Sequence, residues 1–320
     1  MSELHKFIFE GLPVRGALVR LTDSWQDILK RRAGNTQTGA YASPVQELLG
    51  EMLAAGALMQ SNIKFNGALV LQIMGDGPVK VAVAEVNSDL SLRATASVQG
   101  EVGAGARLSE MVNVLGQGRC AITLDPGNKQ PGQQPYQGVV SLHGDKKEKI
   151  ERISEVLEHY MLQSEQLDTR LILAADDTVA AGLLIQRMPM EGEGNLGKSR
   201  EDDIGLDESF NRIALFAQSL KRQELLELDA DTILHRLFWE DKLLRFSPQT
   251  PKFACTCSRE KVSGMLRGLG IAEVESILSE RDNIEVGCDF CGQQYHFDPV
   301  DAAEIFTKPQ DHPPGPTVVQ

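Results

Sequence analysis

Four of the five cysteines lie between positions 255 and 291, in an arrangement typical of a metal site. One pair has the spacing Cys-x-Cys and the other Cys-x-x-Cys, with 30 residues between them; the four are Cys255, Cys257, Cys288 and Cys291. Four thiolates form a complete tetrahedral shell around zinc and leave no position for water. Glycines flank the second pair, as a tight backbone turn around an ion requires. We therefore predict one zinc ion per chain, bound by these four cysteines.

The Cys255–Cys257 pair leaves the role of the predicted zinc site open. Cys-x-x-Cys is common in structural zinc sites, whereas Cys-x-Cys is less so. A disulfide across a single spacer residue would be strained, and strained disulfides are the labile, regulatory kind. Spacing alone therefore favours a structural zinc site and a redox switch about equally.

Two further residues with ligating side chains are assigned no metal role. His296 lies five residues after Cys291, but four cysteines already fill the site, so we interpret it as a strand residue. Cys120 lies in the strand-like run 119–124, where a buried and unreactive thiol is the favoured interpretation.

The residues around the cysteines predict a small module of two helices and a hairpin. Helices are expected at 259–267 and 272–280, separated by Gly268-Leu269-Gly270. The runs 284–286 and 293–297 could form the two strands of a zinc hairpin that presents the second cysteine pair.

The whole chain is predicted to be an α+β protein. We expect an N-terminal mixed α/β domain at 1–190, an acidic helical linker at 191–252, a small C-terminal zinc-binding domain at 253–307 and a disordered, proline-rich tail at 308–320. Hydrophobic periodicity predicts N-terminal helices at 25–32, 43–60 and 147–163. Short apolar runs predict N-terminal strands at 6–10, 14–21, 68–74, 79–86, 92–98, 120–124, 138–142, 171–174 and 179–186, of which the three from 68 to 98 form an antiparallel meander.

The predicted linker combines acidic residues with an apolar stripe. Residues 191–231 hold 11 acidic and 5 basic side chains. Two helices would carry the stripe, the second from about Asp231; its residues are Ile213, Phe216, Leu220, Ile233, Leu237, Phe238 and Leu244. We expect the stripe to pack on the N-terminal domain, because an apolar stripe needs a surface to cover. The acidic excess would favour expansion of the linker if that surface were lost.

Charge and length exclude several classes of function. The chain has 320 residues and a net charge of −13, which opposes binding to nucleic acid or to anionic membranes. No apolar run approaches the ~18 residues of a membrane helix, and the first residues lack the layout of a secretory signal. We therefore expect a cytosolic protein, in which cysteines serve as metal ligands or redox groups.

Residues 192–199 match the phosphate-loop pattern GxxxxGK[ST], which opens a nucleotide-binding alternative. That chemistry needs a helix that begins at the Lys and Ser, but the following residues form a poor amphipathic helix. Glu193 inside the loop and Glu201 after it would also repel phosphates. We interpret the segment as a flexible acidic linker. No other catalytic arrangement stands out, so the protein is not expected to be an enzyme.

Several segments resemble the 33 kDa chaperonin family of bacterial redox-regulated heat-shock chaperones. They are Leu-His-Arg-Leu-Phe at 234–238, Phe-x-Cys-x-Cys-Ser-Arg-Glu at 253–260, Glu-Val-x-Cys-x-Phe-Cys-Gly-Gln-x-Tyr-x-Phe at 285–297, and Ala-Gly-Leu-Leu-Ile-Gln at 181–186. The likeness covers nearly the whole chain in layout and is most specific from 234 to 297.

The resemblance implies an ATP-independent holdase that binds unfolding client proteins under oxidative stress. In such a protein the reduced cysteines bind zinc and the chaperone is inactive. Oxidation makes two disulfides, releases zinc and unfolds the linker, and a homodimer accompanies full activity. We expect the disulfides to join neighbours, Cys255 with Cys257 and Cys288 with Cys291, because short loops close fast.

Two other classes of function remain as alternatives. One is an enzyme, either a thiol–disulfide oxidoreductase that uses Cys288 and Cys291 or a phosphate-loop nucleotide-binding protein. The oxidoreductase would have its cysteine pair at a helix start beside a βαβ unit, whereas here the pair is predicted to lie between strands. The other is a structural zinc module that binds a protein or a nucleic acid.

Overall fold

The structure, a computed structural model, describes residues 1–35, 39–127, 134–188 and 200–307; within 200–207 it describes the backbone alone. Contacts divide the chain into an N-terminal unit, Met1–Ala254, and a C-terminal unit, Cys255–Gln320. The predicted α+β class is confirmed. The finer division at 190 and 252 stays a prediction, and the predicted tail lies outside the described residues.

Helices and strands alternate irregularly along the chain. The helices of the described residues are α1 (Asp23–Ala33), α2 (Ser43–Asn62), α3 (Leu108–Val112), α4 (Ile153–Glu165), α5 (Arg200–Gln218), α6 (Arg222–Glu227), α7 (Ala230–Phe238), α8 (Arg259–Leu269), α9 (Ile271–Glu280) and α10 (Pro299–Thr307). The strands are β1 (Glu3–Phe9), β2 (Val14–Leu21), β3 (Gly67–Met74), β4 (Val79–Asn87), β5 (Ser91–Val98), β6 (Arg119–Pro126), β7 (Tyr136–Ser141), β8 (Thr169–Ala175), β9 (Ala180–Arg187), β10 (Leu243–Arg245), β11 (Lys252–Phe253), β12 (Ile284–Gly287) and β13 (Gln294–Phe297).

Two sheets with α2 between them form the N-terminal unit. One sheet has the strand order β10-β1-β2-β9-β8 and the other β11-β5-β4-β3-β6-β7. Of their pairs, β11 with β5 is parallel and the others are antiparallel, so the predicted meander β3-β4-β5 is confirmed. Helix α2 is apolar around its circumference, with 14 of its 20 residues buried, as expected for a helix covered on all sides.

Small residues on α2 allow both sheets to approach it closely. A Cβ atom on Gly50 would lie 2.5 Å from the Cβ of Ala175, at the end of β8. A Cβ on Gly56 would lie 3.0 Å from a methyl of Val86 on β4. Larger side chains at these two positions would push the sheets apart.

Two predicted helices differ from the structure. The helix predicted at 147–163 begins only at Ile153, because Lys147 has a left-handed φ of 64° and Ile150 N–H donates to the carbonyl of Leu142. The helix predicted to carry Leu244 ends at Phe238, and Leu244 instead pairs with Ile8 in the short strand β10. The other predicted helices and strands are confirmed to within a few residues.

Helices α5, α6 and α7 cover the second face of the five-stranded sheet. One face of that sheet packs on α2, and the other contributes Phe7, Phe9, Val14, Leu18, Ala174, Ala181, Leu183 and Ile185 to a separate core. The helices complete this core with Phe210, Ile213, Ala217, Leu220, Leu225, Ile233, Leu237 and Phe238, among others. The predicted packing of the linker on the N-terminal domain is therefore confirmed for most of the stripe.

Phe216 is the exception within α5. Its side chain is 39% exposed and lies 5.6 Å from the guanidinium of Arg212, so its prediction as a core residue was wrong. The buried face of α5 follows Phe210, Ile213 and Ala217 instead, and Phe216 lies beside it.

Polar contacts also hold α6 on the sheet. The guanidinium of Arg20, on β2, donates to the carbonyls of Leu225 and Leu226 at 2.7 and 3.0 Å. Arg222 donates to the carbonyl of Ala175 and forms an ion pair with Glu47 at 3.2 Å. The bonds from Arg20 satisfy backbone carbonyls that the end of α6 would otherwise leave unpaired, and the bond from Arg222 satisfies one at the end of β8.

A cavity of about 630 Å³ lies where α2, α4 and the start of α6 meet, and Glu51 lines it. Burial raises the pKa of Glu51 from 4.5 to about 7, and the carboxylate of Glu47 adds to the rise, while Arg222 and Arg152 oppose it. The folded chain therefore disfavours the charged form of Glu51.

Glu51→Gln tests this electrostatic cost. Because the pKa is higher in the folded state, the wild-type unit should lose stability as the pH rises from 4.5 to about 7. The variant should remove that loss, so it should be more stable than wild type at pH 8 and similar to it at pH 4. Urea unfolding at both pH values measures this, with exposed Glu101→Gln as the matched control. Equal pH dependence in wild type and Glu51→Gln would contradict the assignment.

Candidate metal centre

The C-terminal unit builds a small core around its hairpin. Its buried residues are Leu266, Val274, Ile284, Phe297, Ala302 and Ile305, contributed by α8, α9, α10, β12 and β13. Helix α8 begins directly after the first cysteine pair, because the Ser258 hydroxyl accepts a hydrogen bond from the N–H of Lys261 as its N-cap. Gly270, with φ of 91°, separates α8 from α9.

The second cysteine pair lies on the tight turn between β12 and β13. The N–H of Cys288 donates to the carbonyl of Gln293 at 2.9 Å, and the N–H of Gly292 donates back to Cys288 at 2.8 Å. Gly292 has φ of 74°, a conformation that side chains with a Cβ adopt rarely. The turn therefore depends on a glycine next to Cys291, and it presents both thiols on one side of the hairpin.

The four predicted ligands converge on one point. All four Sγ atoms lie within 4.8 Å of one another. Two of these contacts join the two segments, with 3.7 Å between the Sγ atoms of Cys255 and Cys288 and 3.4 Å between those of Cys257 and Cys291. Zinc–sulfur bonds of ~2.3 Å in a tetrahedron separate the sulfurs by about 3.8 Å. The four thiols therefore fit a tetrahedral metal ion with small adjustments.

Hydrogen bonds distribute the thiol protons unevenly. Burial alone would raise the pKa of Cys255, but hydrogen bonds from the backbone N–H of Cys257 and from the neighbouring thiols outweigh it and lower the pKa to about 7. Burial, together with donation to the neighbouring sulfurs, raises the pKa of Cys291, and burial raises that of Cys288. A metal ion needs all four as thiolates and would displace the remaining protons.

Tyr295 contacts the cluster and Arg259 joins α8 to the hairpin and α10; neither of them was assigned a role from the sequence. The Tyr295 hydroxyl donates to Cys257 Sγ at 3.2 Å, and this bond raises the pKa of Tyr295 to about 12, so the phenol remains a donor. Arg259 lies over the ring of Phe297 at 4.2 Å and pairs with Asp301 at 2.8 Å. The sequence feature that could have indicated the contact of Tyr295 with the cysteines is its position four residues after Cys291, in the predicted strand that became β13.

The two residues that were assigned no metal role lie apart from the sulfur cluster. His296 is an exposed strand residue whose Nδ1 faces Glu285 at 3.4 Å. Cys120 is fully buried in β6, and burial raises its pKa to about 12, as expected for an unreactive thiol.

The enzyme alternatives gain no support from the described residues. Cys288 and Cys291 lie on a hairpin turn, whereas an oxidoreductase pair lies at a helix start beside a βαβ unit. The phosphate-loop pattern at 192–199 lies outside the described residues. Among the described helices, none has the length and apolar content to cross a membrane.

The fold and the cysteine cluster define a two-unit α+β protein with a candidate metal site in its smaller unit. The profile of the Hsp33 protein family matches residues 2–298. The chain is 44% identical over 306 residues to the 33 kDa chaperonin of Chromobacterium violaceum, covering 95% of this chain and 94% of that protein. The 33 kDa chaperonin of Methylobacillus flagellatus is 43% identical over 307 residues, with 96% and 94% covered. The chain therefore belongs to the Hsp33 protein family, a family of chaperones.

A solved structure shows the same fold. The crystal structure of a 33 kDa chaperonin, a heat shock protein 33 homolog from Thermotoga maritima, matches with a TM-score of 0.73 at 22% identity. The match covers 95% of this chain and 97% of that chain. The family resemblance inferred from the cysteine motifs is thus confirmed.

Proposed function

We propose that this chain is a redox-regulated, ATP-independent holdase, which binds unfolding client proteins after oxidation. The convergence of four thiols in the C-terminal unit carries the proposal, because such a cluster both binds zinc and offers oxidisable sulfur. In the reduced state, Cys255, Cys257, Cys288 and Cys291 bind one zinc ion and the chaperone is inactive. The net charge of −13 supports a cytosolic protein without nucleic-acid or membrane partners.

Zinc would stabilise the C-terminal unit by fixing segments that its core alone holds weakly. That core has six buried residues, which is few for an independent unit. Structural zinc binding contributes roughly 10–16 kcal/mol in small modules, so loss of the ion would unfold most of the unit.

Cys255→Ala tests the zinc site. The variant should lose zinc to a chelator at concentrations that leave the wild type loaded, because three sulfurs bind the ion far more weakly than four. Cys120→Ala is the matched control, since it removes the same group from the core of the other unit. Zinc is measured by mass spectrometry of metal content, with one ion per chain expected for the wild type and for the control. Full retention by Cys255→Ala would exclude the four-sulfur site.

Oxidation by peroxide converts the ligands into disulfides. For each disulfide, two thiolate sulfurs give two electrons to one hydrogen peroxide molecule, which takes up two protons and leaves as two water molecules. Two peroxide molecules thus consume all four thiolates. Disulfide sulfur is a poor zinc ligand, so the unit loses its ion.

The disulfide pairing depends on whether the unit unfolds before the bonds form. The Sγ atoms of Cys255 and Cys288 lie 3.7 Å apart and those of Cys257 and Cys291 3.4 Å apart, so oxidation inside the folded unit permits these cross-pairs. Once the unit opens, loop length decides, and short loops favour Cys255–Cys257 and Cys288–Cys291. We propose the second case, because cross-pairs need the metal-free unit to keep its fold, and a core of six buried residues supports that fold only weakly.

Peptide mapping of the oxidised protein distinguishes the two cases. We expect peptides that contain Cys255–Cys257 and Cys288–Cys291 as intrapeptide disulfides, with Cys120 still reduced because it is buried. Protein oxidised in ~4 M urea is the reference for pairing governed by loop length alone. A main product that joins residue 257 to residue 291 would show that oxidation precedes opening.

The linker helices α5–α7 are the proposed cover of the client-binding surface. They bury Phe7, Phe9 and Leu183 on the sheet, beneath their own apolar residues. Residues 191–231 carry 11 acidic and 5 basic side chains, so mutual repulsion favours expansion once docking is lost. Opening would expose both apolar surfaces, and an apolar patch of this kind can hold unfolding chains. A homodimer of the active form is part of the proposal.

Ile213→Asp tests the role of linker docking. Ile213 is fully buried in the core under α5, and a buried unpaired charge should release the helix. The reduced, zinc-loaded variant should therefore suppress aggregation of a heat-unfolded test enzyme. Leu215→Asp is the matched control, because Leu215 lies on the same helix but is 65% exposed, and it should stay inactive when reduced.

Hydrogen exchange on residues 208–245 provides the second readout. Protection should fall in Ile213→Asp and in the oxidised wild type, and it should persist in Leu215→Asp. An active oxidised protein whose α5–α7 remain as protected as in the reduced form would exclude the linker as the cover.

A further inference from the structure

Three of the four edge strands in the two large sheets are protected. The edges β10 and β11 are only three and two residues long. The edge of β8 is covered, because Glu158 accepts the N–H of Leu171 at 2.7 Å and Arg222 donates to the carbonyl of Ala175. Short strands and covering groups are the usual means by which proteins keep sheet edges from pairing with other chains.

The fourth edge strand, β7, has none of these protections among the described residues. It spans six residues, Tyr-Gln-Gly-Val-Val-Ser, with no charged residue and no proline. Its register with β6 is regular from end to end, so no bulge turns it away. Val139 is 52% exposed and Tyr136 55% exposed.

The hydrogen-bond pattern shows which groups of β7 face the open edge. The N–H of Gly127 donates to Asn66 beside β3, so odd-numbered residues of β6 bond to β3 and even-numbered ones face β7. The register pairs Cys120 with Val140, so even-numbered residues of β7 bond to β6. Gln137, Val139 and Ser141 therefore point their backbone N–H and C=O groups outward. Within the described residues these groups have no hydrogen-bond partner.

Helix α4 supports β7 from one side. The ring of Tyr160 lies against Gly138, where a Cβ atom would be 2.5 Å from the ring. The Tyr160 hydroxyl donates to Glu165 at 2.7 Å, which holds the ring in place. The edge strand is therefore backed by a packed aromatic ring, and it can accept a further strand without first becoming ordered.

We propose that the open edge of β7 binds an extended, apolar segment of an unfolding client by β-strand addition. This deepens the proposed holdase function and rests on it for the identity of the partner. Main-chain bonds are the same for any sequence, which suits clients that share no sequence. The lack of charge on β7 lets an apolar strand pair without desolvating an ion.

A second copy of this chain is the weaker candidate for the edge. Six paired residues extend about 20 Å along one strand, and at a strand spacing of about 5 Å the added strand covers on the order of 100 Å². This is far below the ~800 Å² per partner of a stable interface. A single strand of client needs no such area, because a holdase holds its client at several places. Among the described residues nothing covers the β7 edge, so it should bind a single extended segment in both redox states. Such single-site binding does not by itself make the reduced protein an active holdase, because the linker-covered surface stays closed until oxidation.

Val139→Pro removes the central outward N–H without removing a bond to β6, and the preceding glycine tolerates the proline. The probe is a fluorescein-labelled peptide of about ten residues with alternating Val and Thr and two terminal lysines. Fluorescence polarisation with reduced, zinc-loaded protein should show binding that Val139→Pro weakens about tenfold or more. Val139→Thr is the matched control, since it keeps the N–H and the shape, and it should bind like wild type.

A backbone N-methylated peptide gives the same test on unaltered protein, should Val139→Pro fold poorly. It should bind about tenfold more weakly than its parent. Equal binding of both peptides, equal binding by wild type and Val139→Pro, or no binding by wild type would each overturn the proposal. A dimer of the reduced protein that Val139→Pro abolishes would also overturn it, by making a second copy the occupant.

Failure of this proposal is distinguishable from failure of the holdase function. If oxidised wild type suppresses aggregation but reduced wild type binds no peptide, the β7 site is excluded and the proposed redox-regulated holdase function still stands. If the reduced protein binds the peptide but the oxidised protein suppresses no aggregation, the β7 site still stands and the proposed holdase function is excluded.

Discussion

A five-stranded sheet with two apolar faces is the constraint on which the larger unit depends. One face packs on α2, and the other must be covered by a second layer, because exposed apolar area of this size would aggregate. Helices α5–α7 supply that layer and come from a segment with an acidic excess. The cover therefore gains its stability from packing and polar contacts such as those of Arg20, and its own charge opposes it.

The fold of the C-terminal unit depends on a different constraint, the close approach of its four thiols. Its core is small, and its four thiols lie close together although the two pairs are 30 residues apart in sequence. Four neighbouring thiolates without a cation would repel one another, so the reduced arrangement favours a bound metal ion. Under the proposed function, oxidation of these four thiols would remove the metal ion and with it the bonds that hold the two cysteine segments together.

Sequence reasoning located the candidate site because ligand type and spacing are local properties. The same is true of α2 and of the meander, whose periodicity is strong. The sequence did not predict elements that depend on partners distant along the chain. Strands β10 and β11 are too short to carry a hydrophobic pattern, and they exist because β1 and β5 pair with them. Phe216 was misplaced because helical spacing does not show which of two neighbouring faces meets the sheet. The bond from Arg20 to Leu225 spans 205 positions and left no local signal.

The order in which the linker can open follows from how its ends are tied. At its start, β9 lies inside the five-stranded sheet and pairs over eight residues, so that end is firmly held. At its end, β11 pairs with β5 over two residues, assisted by Arg31 over the ring of Phe253 at 4.5 Å. The chain then passes from Ala254, whose N–H donates to Leu92, directly to Cys255. The proposed opening of the linker would therefore begin at β11, the two-residue pairing next to the first cysteine, and continue through β10 towards α7 and α5.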